Sequence, residues 1–436
     1  MLFRLLCYTL KGRRLNNVTN YTRGDILKKI LHLFRWIIDR LFDFMNVPVW
    51  LLSKVIPKDD NIWVFGSWHG RTYSDNPKSL FEYVRSYEPQ IRAIWLTKNL
   101  ALLQYLRGLG AEAYFTYSVR GYWYSARARV GIVCVGFDDI NRFVPPPVTV
   151  NTWHGTPVKK IGQQVLDFRN EASPISLLKS AVRKLMCKMD PFYDLAPGKR
   201  YTCFLAESKI EAQLLRKSFG DVRVEVTGQP RVDLLCTRTP ANDGPKHALM
   251  VLYLPTHRFE GMKPIVPSIL PGIQSAAEVL RQVNGEMFIK LHEFDEYESE
   301  KLRRALKFTD RINVITNDEI FGDIYPLLAE SDILITDYSS VYVDYLVTGK
   351  PIIFFPFDFD SYVQTEREFN FEYEAVTPGP KCRDWRCVSH WINEFSLNPM
   401  LYSCERRRLA LKFHEYFDGY NCSRAVDTIK HLYRLS

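Results

Sequence analysis

One rhythm, occurring twice, limits what this 436-residue chain can fold into. Short, mostly β-branched apolar runs alternate with segments of helical period. The first series predicts strands at Ile62–Gly66, Arg92–Leu96, Ala113–Phe115, Val130–Val135 and Val148–Thr152, with helices over Asn76–Arg85 and Leu100–Leu109. The second predicts strands at Ala248–Leu254, Glu286–Leu291, Ile312–Ile315, Ile333–Thr336 and Pro351–Phe355, with helices over Pro271–Val283 and Tyr342–Val347. Strands joined through helices run parallel, and a strand that is apolar throughout is covered on both faces. The expectation is an α/β chain with two parallel sheets and a ligand cleft at the carboxyl ends of their strands. Thr-Pro, Asn-Asp and Gly-Pro breakers between Cys236 and Lys246 mark the linker. Two helices, Arg406–Phe417 and Ser423–Leu435, close the chain. The expected divisions are residues 1–57, 58–240, 241–405 and 406–436.

The first division has a character of its own. Residues 1–60 hold eleven basic and five acidic side chains, so they carry +6 of the net +9. Charge concentrated this way argues for a local anionic partner and against a general nucleic-acid-binding surface. Between residues 25 and 45, Ile26, Leu27, Ile30, Leu31, Phe34, Ile37, Ile38 and Leu41 recur at helical spacing. Lys28, Lys29, Arg35 and Arg40 fall on the other side. With Asp25 as cap and Pro48 beyond its end, this segment predicts an amphipathic helix suited to an anionic membrane surface, or else to the body of the protein. No stretch of 18 apolar residues predicts a transmembrane helix. Met1–Leu10 contains Arg4 and lacks a small-residue cleavage site, which argues against a secretory signal. An odd count of nine cysteines in a long chain argues against a disulfide framework and for a reducing compartment. Cys382 and Cys387 have no second Cys/His couple at metal-ligand spacing and read as structural.

Chemistry gathers at the predicted strand ends. Asn151-Thr152-Trp153-His154-Gly155-Thr156-Pro157 follows a strand directly, so His154 projects into the expected cleft, where an imidazole can take a proton near neutral pH. Gly155 permits a close turn, and Thr156 stands beside it as an orienting or acceptor-side group. Lys290 and His292 share one face of another strand end, and Arg258 closes a third. Three strand ends delivering cationic or polarising groups suit a phosphate-bearing ligand. Thr336-Asp337-Tyr338-Ser339-Ser340 leads from a strand into a helix, an arrangement that serves either an anion site or plain helix capping. Asp337 there could cap, orient a partner or bind a cation. There is no acidic cluster of the kind that holds a dedicated metal.

These segments taken together resemble the CDP-glycerol:poly(glycerophosphate) glycerophosphotransferases, the teichoic-acid primases and polymerases and related capsule enzymes. The likeness runs from about Ile56 to the end. It is carried by Asn61–Asp75 (NIWVFGSWHGRTYSD), Asn151–Gly162 (NTWHGTPVKKIG), Gly228–Asp233 (GQPRVD), Leu252–Arg258 (LYLPTHR), Lys290–His292 (KLH), Ser331–Pro356 (SDILITDYSSVYVDYLVTGKPIIFFP) and Asp418-Gly419 with Arg424. The resemblance implies a GT-B architecture, two Rossmann-like domains facing a central cleft, preceded here by the amphipathic segment. It implies a phosphotransferase that moves glycerol phosphate, or another alditol phosphate, from a CDP-alditol to a lipid-linked or polymeric acceptor. The enzyme would be attached peripherally to the cytoplasmic face of the membrane. His154 would be the catalytic base. His292, Arg258, Ser339 and Ser340, with Thr336 and Lys290, would surround the donor phosphates, and Arg231 and Asp337 would orient. Magnesium would be present only as a companion of the donor pyrophosphate. Glu293 stands where the family often has proline, and His257 where an aromatic residue is common. A nucleotide-sugar glycosyltransferase of the same architecture and a non-catalytic membrane scaffold are the alternatives. The joint WHGTP and TDYSS pattern opposes the first, and the grouped His, Arg and Ser at strand ends oppose the second.

Overall fold

The computed structural model describes residues 41–162, 164, 200–237, 248–258, 264–292, 295–365 and 368–434. Two all-parallel sheets organise them. The first contains β1 (Asp59–Phe65), β2 (Arg92–Thr97), β3 (Ala113–Phe115), β4 (Ala128–Val133), β5 (Val148–Asn151), β6 (Cys203–Ala206) and β7 (Val224–Val226). Their spatial order is β3-β2-β1-β4-β5-β6-β7. The second contains β8 (Leu249–Leu254), β9 (Gly285–Ile289), β10 (Ile312–Val314), β11 (Ile333–Thr336) and β12 (Ile352–Phe354), in the order β10-β9-β8-β11-β12. Both orders reverse once, between β1 and β4 and between β8 and β11. Chain segments leaving the two strands on either side of such a reversal diverge to opposite faces and open a crevice at the carboxyl edge.

The parallel sheets are as expected, and two strands are additional. β6 and β7, with the helix Lys209–Phe219 between them, extend the first sheet. At four and three residues they are too short to stand out by periodicity. β6 is nevertheless buried along its whole length. The predicted amphipathic helix falls mainly on residues 1–40, outside the described residues. From 41 to 53 the chain is helical and runs through Pro48, which was expected to lie beyond the helix end. Proline removes one backbone donor there, and the Asn46 side chain donates to the Phe42 carbonyl at 2.8 Å. The expected linker at 236–246 lies largely outside the described residues. Among the described helices none is long and apolar enough to cross a membrane.

The last helix, Asn421–Arg434, returns to the first sheet. Ala425, Val426, Ile429 and Leu432 join the core that holds Trp63, Phe65, Phe81 and Trp95. Asp233 directs this return by accepting from the backbone N–H groups of Asn421 and Cys422 at 2.9 and 2.8 Å, which caps the helix start. The conformation departs from the cysteine expectation at one point: Cys382 and Cys387 are bonded to each other, their Cα atoms 5.3 Å apart. This is one local bridge at the start of the helix Trp385–Leu397, and the other described cysteines are free.

Candidate active site

The carboxyl ends of both sheets border one cavity of about 410 Å³. On the side of the first sheet its wall includes Trp68, Asp75, His154, Gly155, Thr156 and Arg231. On the side of the second it includes Lys290, His292, Ser339, Ser340, Tyr325 and Asp344.

His154 is held from below. Its Nδ1 lies 2.9 Å from the Cys134 carbonyl. A carbonyl oxygen can only accept, so Nδ1 carries the proton and Nε2 of the neutral ring keeps its lone pair. The Cys134 loop is itself pinned. Asp139 accepts from the backbone N–H groups of His69, Cys134 and Val135 at 2.7, 2.8 and 2.7 Å. The Trp153 and Trp68 rings lie 4.2 and 5.3 Å from the imidazole, centre to centre. Withdrawal from water beneath them lowers the His154 pKa, against the Cys134 hydrogen bond and the Asp75 charge. A ring that resists protonation remains a base at neutral pH.

Asn76, immediately after the GSWHGRTYSD segment, fixes the turn that bears His154. Its side-chain amide donates to the carbonyls of Thr152 and Trp153 at 3.1 and 3.0 Å and accepts from the Arg231 backbone N–H at 3.1 Å. Gly155 has φ +138°, and a Cβ there would come within 2.6 Å of Ser340 Oγ. The WHGTP turn of the first sheet and the TDYSS turn of the second therefore meet at glycine and serine.

Lys290 and His292 occupy the end of β9. Lys290 donates through Nζ to the Leu291 carbonyl at 2.9 Å. Burial, joined by Lys290, His257 and Lys159, pushes the His292 pKa down to about 3, so this imidazole is neutral near pH 7. Ser339 and Ser340 line the cavity, while the helix after them, Val341–Tyr345, is only five residues long.

Thr336 and Arg258, expected around the donor phosphates, and Asp337, expected to orient, stand away from the cavity. Thr336 is buried and donates to the Leu254 carbonyl at 2.7 Å. Asp337 accepts from Thr256, through both backbone N–H and hydroxyl, and from Arg258 Nη2 at 2.8 Å. Arg258 also donates through Nε and Nη2 to Asp358 at 2.8 and 3.0 Å, and through Nη1 to the Thr256 carbonyl at 2.6 Å. Its guanidinium is thus committed to tying together the chain after β8, β11 and β12. None of the three lines the cavity.

Arg231 has the opposite placement. It reaches from the first sheet into the seam, donating to Asp75 Oδ1 at 2.5 Å and to Asp344 Oδ2 at 3.1 and 2.9 Å. Tyr325 donates to the same Asp344 oxygen at 2.5 Å, and Trp68 Nε1 to Asp75 Oδ2 at 3.1 Å. Sequence reasoning did not single out Trp68, Asp75, Tyr325 or Asp344. Trp68, Asp75 and Asp344 lie inside the motif segments, where that position was the available signal. Among the described residues no three His, Cys, Asp or Glu side chains converge as a metal site.

The family model of CDP-glycerol:poly(glycerophosphate) glycerophosphotransferase matches residues 49–431. The chain belongs to that family. Its match begins slightly ahead of the Ile56 boundary expected from the motifs. The teichoic acid glycerol-phosphate transferase of Staphylococcus aureus is 26% identical over 397 residues, covering 87% of this chain and 95% of that protein. The teichoic acid poly(glycerol phosphate) polymerase of Staphylococcus epidermidis is also 26% identical, over 76% of this chain, which matches 45% of the polymerase. The chain thus spans less than half of that larger relative. In fold it is similar to the wall teichoic acid polymerase TagF, with TM-score 0.67 and 21% identity over 95% of this chain and 100% of that one.

Proposed function

We propose that this protein transfers glycerol phosphate, or a related alditol phosphate, from a CDP-alditol to a hydroxyl of a cell-surface polymer or its lipid-linked precursor, releasing CMP. The observation that carries the reading is His154: a neutral imidazole whose Nδ1 is occupied by a carbonyl, at a cavity that also receives Lys290, His292, Ser339 and Ser340. The two sheets act as the two Rossmann-like domains of a GT-B enzyme, with the donor mainly on the second. Nε2 of His154 takes the proton of the acceptor hydroxyl. The oxygen attacks the alditol-bearing phosphorus, its bond to the CMP oxygen breaks, and the proton passes from His154 to solvent. Lys290, the two serines and neutral His292, which can donate a hydrogen bond, meet the phosphate oxygens. Positioning and charge stabilisation do most of the work in such transfers. Arg258, Asp337 and Thr336 serve by holding the loops.

The basic N-terminal segment and the exposed apolar side chains of Leu41, Phe44, Met45, Leu52 and Val55 support attachment to an anionic membrane at its cytoplasmic face. The deciding experiment measures nucleotide release with CDP-glycerol, CDP-ribitol and UDP-sugars in parallel, with a lipid-linked acceptor. Acceptor-dependent CMP release that His154→Ala abolishes is the expected result. UDP release from a sugar donor would replace the proposal with a glycosyltransferase.

A further inference from the structure

In the cavity wall, the buried polar atoms Thr156 Oγ1 and Asp344 Oδ1 have no hydrogen-bond partner among the described residues. Both residues are only 2% exposed. Folding that leaves a buried polar atom unpaired costs free energy, which a ligand group can recover. Asp344 is otherwise fully engaged, because its Oδ2 receives Arg231 and the Tyr325 hydroxyl. Its remaining oxygen can only accept, so it calls for an O–H or N–H donor. Thr156 can both donate and accept.

The surrounding charge selects the kind of donor. Arg231 stands between two carboxylates, Asp75 and Asp344, so this part of the wall carries a local excess of negative charge that repels phosphate. The cationic groups lie around His292, where Lys290 and Lys159 also line the cavity. The cavity is polarised, with a phosphate-favouring region and a hydroxyl-favouring one. Gly155, between His154 and Thr156, has its missing Cβ position 3.6 Å from Arg231 Nη2, so the hydroxyl-favouring wall adjoins His154.

We propose that Asp344 and Thr156 form a hydroxyl-recognition subsite that takes a polyol hydroxyl of the alditol beside His154. The proposal rests on the phosphotransferase reading. The hydroxyl belongs either to the donor's alditol or to the terminal unit of the acceptor.

Thr156→Val tests it, because the variant keeps the side-chain shape and removes a hydroxyl that has no hydrogen-bond partner among the described residues. Calorimetry on the full chain measures the Kd of CDP-glycerol and of CDP. Kinetics measures KM for a synthetic lipid acceptor ending in glycerol phosphate. If the donor supplies the hydroxyl, Thr156→Val raises the CDP-glycerol Kd about three- to tenfold, leaves the CDP Kd in place, and Thr156→Ser restores it. If the acceptor supplies it, the CDP-glycerol Kd is unmoved and the acceptor KM rises by a similar factor. Asp344→Asn, checked for folding by thermal unfolding, shifts the same constant by roughly tenfold or more, since it weakens a charged acceptor. An active Thr156→Val protein with both constants unchanged, or with CDP and CDP-glycerol weakened equally, overturns the subsite alone. Wild-type protein that neither prefers CDP-glycerol to CDP nor releases CMP overturns the underlying reading, and the subsite with it.

Discussion

At the scale of single residues, the arrangement around His154 separates holding from reacting. One ring nitrogen is spent on the Cys134 carbonyl, and the other faces chemistry. His154→Gln removes the base while keeping polar bulk, and is expected to lower kcat by roughly 10²–10⁴ in a CMP-release assay. The direction of the pKa shift also fixes a pH dependence. A His pKa lowered from 6.5 leaves the reactive neutral form populated into mild acid. The acid limb of kcat/KM therefore falls below pH 6.5, as a profile from pH 4.5 to 8 can check. Gly155 carries a different constraint. Alanine there would hold φ +138° with its Cβ against Ser340 Oγ. Gly155→Ala is expected to cost about 1–3 kcal/mol of stability in urea unfolding, and to lower activity as Ser340 yields.

At the scale of elements, the ends of β8, β11 and β12 act as a unit because Arg258 joins Asp337 and Asp358. This group is buried: the Arg258 and Asp337 side chains are 2% and 0% exposed. Removing one member of such a pair leaves an uncompensated charge, a loss of about 3–5 kcal/mol. Arg258→Gln should therefore lower the unfolding midpoint strongly, and Asp358→Asn should lower it in the same direction. A phosphate ligand exposed to the cavity would behave otherwise, affecting donor affinity while leaving the melt nearly unchanged. Thermal unfolding without ligand separates the two cases. Asp233 shows the same economy on another element. It lies in the GQPRVD motif, and its carboxylate caps the last helix.

At the scale of the whole molecule, polar links cross between the two sheets, those of Arg231 and His414 buried. Arg231 joins Asp75 to Asp344, Lys78 meets Asp323 at 2.5 Å, and His414 bridges Glu207 and the Val343 carbonyl. Both partners of His414 accept, so both ring nitrogens donate and the ring is the cation. Burial alone would lower its pKa, but the Glu207 charge and hydrogen bond, with the Val343 carbonyl, leave it raised above 6.5. A raised folded-state pKa gives stability that is complete below pH 6.5 and is lost as pH climbs through the raised value. The unfolding midpoint should decline as pH rises above 6.5 through that raised value, and His414→Gln should flatten the decline.

The sequence by itself determined the two parallel sheets, the strand ends on which His154 and Lys290 sit, and the family. Apolar runs and helical periods are local properties, and the motifs are contiguous, so both survive without tertiary information. Pairing across the chain does not. Arg258 and Arg231 look alike as arginines in motifs. Only packing decided that the first is consumed by carboxylates near residues 337 and 358, and that the second lies in the seam between the sheets. The same holds for β6 and β7, which need neighbours to be strands at all, and for the last helix, whose apolar face has a place on the first sheet only once Asp233 fixes its start. It also holds for the hydroxyl of Thr156 and the free oxygen of Asp344. A residue's type states what it can bond, whereas only its surroundings in the fold state which bond has been left unmade.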